Sequence, residues 1–301
     1  MKKTIAIITS DPNSINYEII KKSIFFFKKK NKNNYLFIGS EKLLSKNYIN
    51  TNILNIKNIE WNKYKKQEYL IKSFDEYIYL YKKKKVHGLI NLPLNKKDFL
   101  DNSFPGVTEY ISNKFQCSGK ETMLLYNNNF SVSPLTTHLR VKDISKKITS
   151  KKIINNLTNI LTFYQNIIKK KNPTIGFLGL NPHNAVDFFS NSEEKKIIIP
   201  TIKKLKKKYK KNIVGLISPD ISFVKREKDN ITSLIGMYHD QVLTTFKYIN
   251  QFSAINITLG LPFLRISPDH GTATDIIGKN KADPKSFLYC LNFFEKFHKT
   301  I

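Results

Sequence analysis

Short runs of apolar, often β-branched residues alternate along the chain with longer stretches in which apolar positions recur at helical spacing. TIAIIT (4–9), YLFIG (35–39), HGLINL (87–92), TIGFLGL (174–180), SLIGMY (233–238) and AINITLG (254–260) read as buried strands. Between them, YEIIKKSIFFFKKK (17–30), FDEYIYLYKKKK (74–85), KKIINNLTNILTFYQNIIKKK (151–171) and IIIPTIKKLKKKYKK (197–211) turn lysine faces outward, the pattern of amphipathic helices. Strands alternating with helices of this length need crossover connections, so the sheet is mainly parallel or mixed and the fold class is α/β. No internal repeat and no Gly/Ser linker interrupts the alternation, so a second domain is interleaved with the first or closely joined to it.

Composition narrows the classes that remain. A chain of 301 residues with 41% hydrophobic content and 12% aromatics can build real cores. The opening MKKTIAIITSDPN reads as a first buried strand and not a signal peptide, and no apolar run approaches the roughly 18 to 20 residues of a membrane span. Cys117 and Cys290 stand in no CxxC or metal spacing, and one pair is no disulfide framework, which fits a reducing cytoplasm.

The formal net charge of +28 raises the question of a nucleic-acid or membrane-surface partner. Only three of the 51 basic residues are arginine, Arg140, Arg226 and Arg265, whereas groove and phosphate readers favour its bidentate fork. The lysines are scattered among Asn and Ile, the residues that AT-rich codons encode, and charge runs usually mark solvated faces. We expect no specific nucleic acid and no membrane as partner. An arginine retained in such a chain is a candidate for function.

Three of the six histidines follow apolar runs in separate segments: His138 in PLTTHLR, His183 in GLNPHN and His239 in MYHDQ. Each is expected at the carboxyl end of a strand, where α/β folds place ligands. Singly, such a histidine is more often structural than a metal ligand, and both readings stay open here. Asp240 and Asp220 are further ligands or orienters of the imidazoles. The segment 256–283 presents Arg265 and then a polar turn through Asp269, His270, Gly271 and Thr272, whose backbone and hydroxyl can meet a phosphate or ribose. An ordinary Gly-rich connection would read the same way, and no GxGxxG accompanies it.

TTHL, LNPH, MYHDQ, Lys247 eight positions after His239, NITLGLPFLR and SPDHGTA…IGK.KAD together resemble the 4-hydroxythreonine-4-phosphate dehydrogenase family in order and spacing. The resemblance covers nearly the whole chain and is most specific between 236 and 283. It implies an isocitrate/isopropylmalate dehydrogenase-like fold: two α/β/α subdomains with a cleft between them, in a homodimer with a shared active site. The expected division is 1–104 plus 277–301 for one subdomain and 105–276 for the other, the latter carrying most metal and substrate residues.

The resemblance also implies site residues. His138, His183 and His239 would hold one divalent ion (zinc, magnesium or cobalt) across the dimer interface. Thr108, Lys247, Asn256 and Arg265 would contact substrate, with Lys247 or Asp240 as the proton-transfer group. His270, Gly271, Thr272 and Asp275 match the adenosine loop of β-decarboxylating dehydrogenases, which implies NAD or NADP. An acidic residue at position 275 would accept the ribose hydroxyls and repel the 2′-phosphate of NADP; capping of the following turn is its other reading.

The implied activity is NAD-dependent oxidation and decarboxylation of 4-phosphohydroxy-L-threonine to 3-amino-2-oxopropyl phosphate, on the way to pyridoxine and pyridoxal 5′-phosphate. Three departures from the family pattern stand out. Val107 in GVTE replaces a histidine, SDPNSINYE replaces a Gly-containing first loop while keeping Asp11, Pro12 and Glu18, and NAVDF follows LNPH in place of a Gly-rich run. Two alternatives remain: a related dehydrogenase of a threonate or erythronate phosphate, and a non-catalytic homologue keeping fold and dimer.

Overall fold

The computed structural model describes residues 2–61, 66–100, 104, 106–185 and 191–301, without the side chain of Leu100. Of the NAVDF departure, only Asn184 and Ala185 lie within the described residues. The chain forms two compact units, Met1–Ser118 with Phe252–Ile257 and Leu261–Ile301 (unit 1), and Gly119–Gln251 with Thr258–Gly260 (unit 2).

In chain order, unit 1 contributes β1 (Thr4–Ile8), α1 (Asn16–Lys22), α2 (Ile24–Phe27), β2 (Asn34–Gly39), α3 (Glu41–Lys46), β3 (Asn55–Asn58), α4 (Lys66–Lys82), β4 (Gly88–Asn91), α5 (Lys96–Leu100) and α6 (Val107–Lys114). Unit 2 follows with β5 (Thr122–Tyr126), β6 (Ser131–Pro134), α7 (Ser150–Thr162), β7 (Ile175–Leu178), α8 (Ile199–Tyr209), β8 (Ile213–Ile217), α9 (Ser222–Lys228), β9 (Ser233–Gly236) and α10 (His239–Asn250). Strand β10 (Ile255–Leu259) starts in unit 1 and ends in unit 2; β11 (Leu264–Pro268) and α11 (Lys285–Lys296) then complete unit 1.

In unit 1, β1 pairs in parallel with β2 and β4, β2 with β3, and β4 with β11. Ile5 to Ile8 and Leu89 and Ile90 are buried, as strands covered on both faces must be, which is why they read as unbroken apolar runs. Helix α11 lies so close to β4 that a Cβ on Gly88 would come within 2.6 Å of the Phe294 ring. Helix α6 turns Val107, Tyr110 and Ile111 into the same core as Phe74 and Phe99, with Tyr110 and Phe99 edge to face at 5.1 Å. That packing, and the pairing of β11 with β4, put 107–114 and 264–268 with unit 1, whereas the division drawn from the sequence assigned 105–276 to one subdomain.

In unit 2, β6 pairs in parallel with β9, β9 with β7, and β7 with β8, while β5 runs antiparallel to β6. The order β6-β9-β7-β8 has a direct consequence: the loops leaving all four strands open on one edge. Helix α7 buries Ile153, Leu157, Ile160 and Leu161 and continues as a wider turn over Phe163–Ile168, closing on Lys169 at a left-handed φ of 62°.

Candidate active site

Because β6, β9, β7 and β8 are mutually parallel neighbours, the segments carrying His138, His239, His183 and Asp220 emerge side by side from the carboxyl edge of unit 2, in that order. His138 and His183 both sit at left-handed backbone positions, φ 55° and 52°. Twelve other described non-glycine residues share that region, so this backbone conformation does not by itself mark the two histidines as ligands.

Hydrogen bonds between the motifs hold this edge together. The Thr136 hydroxyl donates to the Met237 carbonyl at 2.7 Å, tying TTHL to MYHDQ. Gln241 spans two loops: its amide donates to the Gly179 carbonyl and its oxygen accepts from the Met237 N–H, both at 2.7 Å. Glu194, fully buried, accepts the backbone N–H groups of Leu180 and Asn181 and the Asn181 side-chain amide at 2.7 to 2.9 Å. Burial alone would raise its pKa, but these bonds hold the carboxyl below its usual value, so Glu194 is an ionised brace for the loop that carries His183. Gln241 and Glu194 were not among the sequence candidates.

The His138 and His239 rings have centroids 6.3 Å apart. Two imidazoles on one tetrahedral zinc stand about 5 Å apart between centroids, given a Zn–N distance of about 2.0–2.1 Å, so the pair as it stands is wider than a shared ion requires. His239 Nδ1 lies 2.8 Å from Asp240 Oδ1, the arrangement that orients a ligating imidazole and leaves Nε2 for the metal. The Asp220 carboxyl is held below its ordinary pKa chiefly by the Ser218 hydroxyl beside it, with the backbone and His183 adding to the effect. The donor set fits a divalent cation. Among the described residues, however, no three His, Cys, Asp or Glu side chains of this one chain converge closely enough to hold an ion. Asp240 and Lys247, seven apart on α10, share one helix face about two turns apart, and both are exposed.

Unit 1 holds a different kind of centre. Arg265, on β11 in register with Leu89 of β4, is only 5% exposed. Its Nε donates to Asn91 Oδ1 at 2.7 Å and its Nη1 to Thr108 Oγ1 at 2.8 Å. Burial lowers its pKa to about 10, with Glu109 opposing the shift, so the guanidinium stays charged at neutral pH. Two residues expected to bind substrate are thus brought into direct contact. A third, Asn256 on β10, has a buried Oδ1 that accepts no hydrogen bond. Val107, where the family pattern has a histidine, is buried in the apolar core against α4 and α5. The retained Asp11 is fully buried, paired with Lys66 at 2.8 Å, and accepts the N–H groups of Asn13 and Asn95.

The loop 269–283 is anchored from both ends. Ser286 Oγ accepts the Asp269 N–H, and Ile15 N–H donates to the Thr272 carbonyl. Glu18 accepts the Ala282 N–H at 2.7 Å, while Lys22 donates to the carbonyls of Asn280 and Ala282. The retained Glu18 therefore braces this loop. His270 Nδ1 lies 2.9 Å from the Gly271 carbonyl, and a Cβ on Gly271 would meet nothing within 4 Å. Asp275 is exposed in a single turn whose start, Ala273, receives no side-chain cap.

Residues 3–293 match the family described as pyridoxal phosphate biosynthetic protein PdxA. The chain is 36% identical to the 4-hydroxythreonine-4-phosphate dehydrogenase of Sulfurihydrogenibium sp. (strain YO3AOP1), covering 94% of this chain and 95% of that one. It is 33% identical to the enzyme of the same name from Aquifex aeolicus (strain VF5), with 98% of each covered. Its fold is that of the crystal structure of 4-hydroxythreonine-4-phosphate dehydrogenase from Klebsiella pneumoniae, at a TM-score of 0.82 and 23% identity over 99% of this chain and 100% of that one. The likeness extends to isocitrate dehydrogenase from Methylococcus capsulatus, at a TM-score of 0.52 and 9% identity over 98% of this chain and 85% of that one. Matched over nearly its whole length, and more than a third identical to one such enzyme, the chain belongs to the PdxA family.

Proposed function

We propose that the chain is a metal-dependent, NAD-linked dehydrogenase that converts 4-phosphohydroxy-L-threonine to 3-amino-2-oxopropyl phosphate and carbon dioxide, in the route to pyridoxal 5′-phosphate. The observation that carries this reading is the buried Arg265 held against Thr108. A permanently charged planar donor fixed beside a hydroxyl is suited to a phosphate or carboxylate.

His138, His183 and His239 would hold one divalent ion, shared in a homodimer; their place on a common exposed edge supports this. When bound, the ion supplies Lewis acidity toward the substrate hydroxyl and the later enolate, and the nicotinamide accepts hydride. The chain's own residues do the rest. Arg265 and Thr108 fix the anionic end, Asp240 orients the His239 ring, and Lys247 or Asp240 takes the hydroxyl proton as the C–H hydride leaves. The ketone so formed is β to the carboxylate. Its C–C bond then breaks, carbon dioxide departs, the electron pair enters the enolate, and a proton returns to carbon. Thr272 and the neighbouring amides receive the adenosine half of the cofactor, with Asp275 on its ribose. Among the described residues no helix is long and apolar enough to cross a membrane.

The test is NADH formation from 4-phosphohydroxy-L-threonine with zinc, magnesium or cobalt added and with metal chelated. No turnover under any of these conditions refutes the reading. Burial of Val107 in the core favours a second reading, an altered substrate such as a threonate or erythronate phosphate, because the site then lacks the family's imidazole donor. A panel of phosphorylated C4 acids separates the two.

A further inference from the structure

Helix α1 meets the loop 269–283 at two places. At one, the Ile15 N–H donates to the Thr272 carbonyl at 3.1 Å. At the other, Glu18 Oε1 accepts the Ala282 N–H at 2.7 Å, and Lys22 Nζ donates to the Asn280 and Ala282 carbonyls at 2.9 and 2.8 Å. Glu18 and Lys22 are also paired with each other at 2.9 Å, their side chains 15% and 28% exposed. Positions 15, 18 and 22 are spaced to share one helix face, and seven residues of helix rise about 10 Å. Helix α1 therefore sets the separation between the two feet of an arch, Thr272 and 280–282.

The span between those feet faces water. Its Ile276 N–H donates to the Ala273 carbonyl and its Lys279 N–H to the Ile276 carbonyl, both bonds lying within the span. Thr274, Asp275 and 277–280 are exposed, and a Cβ on Gly278 would meet nothing within 4 Å. Ala273 and Asn280 sit at left-handed φ of 46° and 57°, a conformation that non-glycine residues keep where their surroundings impose it. One foot rests on α1 by a neutral backbone bond, whereas the other is a closed ring of charge-assisted bonds, which are roughly twice as strong. The shape of the arch thus depends chiefly on Glu18 and Lys22.

We propose that Glu18 and Lys22, acting as a pair, are positioning residues for the dinucleotide. By holding 280–282 they set the backbone from His270 to Asp275 for the adenosine half before it binds. They act through the loop and not on the reacting atoms. This rests on the function proposed above for what the loop receives, and not for how the loop is held. A loop ordered in advance loses less entropy on binding, so breaking the pair should weaken the dinucleotide and spare the anion site at Arg265.

The experiment measures NAD and inorganic phosphate binding by calorimetry on the metal-loaded full chain, with melting temperatures and, separately, kcat and KM for NAD and 4-phosphohydroxy-L-threonine. Lys22→Met keeps the aliphatic stem and removes the charge. It should raise Kd and KM for NAD by about tenfold while changing phosphate affinity and kcat at saturating NAD less than about twofold. Glu18→Gln can still accept the Ala282 N–H but loses the ion pair, and should weaken NAD by about threefold. The double variant should bind NAD no more weakly than K22M within about twofold, because both side chains serve one contact. Lys22→Arg, which keeps a charge with several donors, should hold NAD affinity within about threefold of wild type. Unchanged NAD affinity in K22M, or losses that simply add in the double variant, would overturn the proposal. Equal weakening of NAD and phosphate with a lowered melting temperature would show a merely structural pair. A wild-type chain that binds no NAD would sink both this proposal and the catalytic reading. NAD binding that responds as expected, without turnover, would sink the catalytic reading and leave this one standing.

Discussion

The two chemical centres of this chain are built on opposite principles. In unit 1, Arg265 is 5% exposed and its fork is aligned by Asn91 and Thr108 before any ligand arrives. In unit 2, His138 and His183 are exposed, His239 is half-buried, and the loops that carry them are braced from behind by Thr136, Gln241 and Glu194. A guanidinium binds its target by fixed direction and gains from being held rigid in advance. Imidazoles gather around a small ion that supplies most of the ordering energy itself. On the proposed roles, the Arg265 site would be ordered before its anion arrives, and the histidine edge would be completed by its metal.

If that contrast holds, the two centres fail independently. The largest loss is expected from His239→Ala, which should lower turnover by about a thousandfold through lost Lewis acidity while leaving the affinity for inorganic phosphate unchanged. Metal titration and phosphate calorimetry on the same variant check this, and a matching loss of phosphate affinity would break the comparison. Asp240→Asn keeps the shape but weakens the bond that orients His239. It should cost about ten- to a hundredfold in metal affinity, recoverable by excess metal. An activity loss that metal does not restore would instead assign Asp240 to proton transfer.

Arg265→Lys keeps the charge but cannot bond Asn91 and Thr108 and clamp an anion at once. It should lower kcat/KM by at least about tenfold with metal binding intact; wild-type kinetics would make Arg265 structural. The smallest effect is expected from Asp275→Asn, which should shift the ratio of NAD to NADP use a few-fold toward NADP by removing the charge that repels the 2′-phosphate. Lys279 and Lys281, exposed on the same loop, act in the opposite direction. An unchanged ratio at matched cofactor concentrations would refute the ribose role.

The strands that were legible in the sequence are those buried on both faces. β1, β4 and β9 are unbroken apolar runs because water touches neither side of them. β6, with the sequence SVSP, is just as buried but carries its signal in hydroxyls. Ser131 bonds Ser233 and Tyr164, and Ser133 bonds the Met123 carbonyl and Asn156, none of which hydropathy can register. β3 was invisible for the opposite reason, since three of its four residues are exposed. The expected helix over 17–30 breaks at Ser23 into α1 and α2. In the site, the histidines and Arg265 stood out as rare residue types in a lysine-rich chain. Gln241 and Glu194 did not, because they act largely through backbone groups of other loops, and such bonds leave no periodic trace.

The division of unit 1 between the two ends of the sequence sets an order of events during synthesis. A ribosome completes every residue of β5 through α10 before β11 and α11 exist. Until they arrive, the outer edge of β4 has no neighbour and the close seat of Phe294 against Gly88 is vacant. An unpaired strand edge is a template for association with other chains. The nascent protein therefore carries an unpaired strand edge in the part of unit 1 made first, and Leu261–Ile301, made after unit 2, is the segment that seals it.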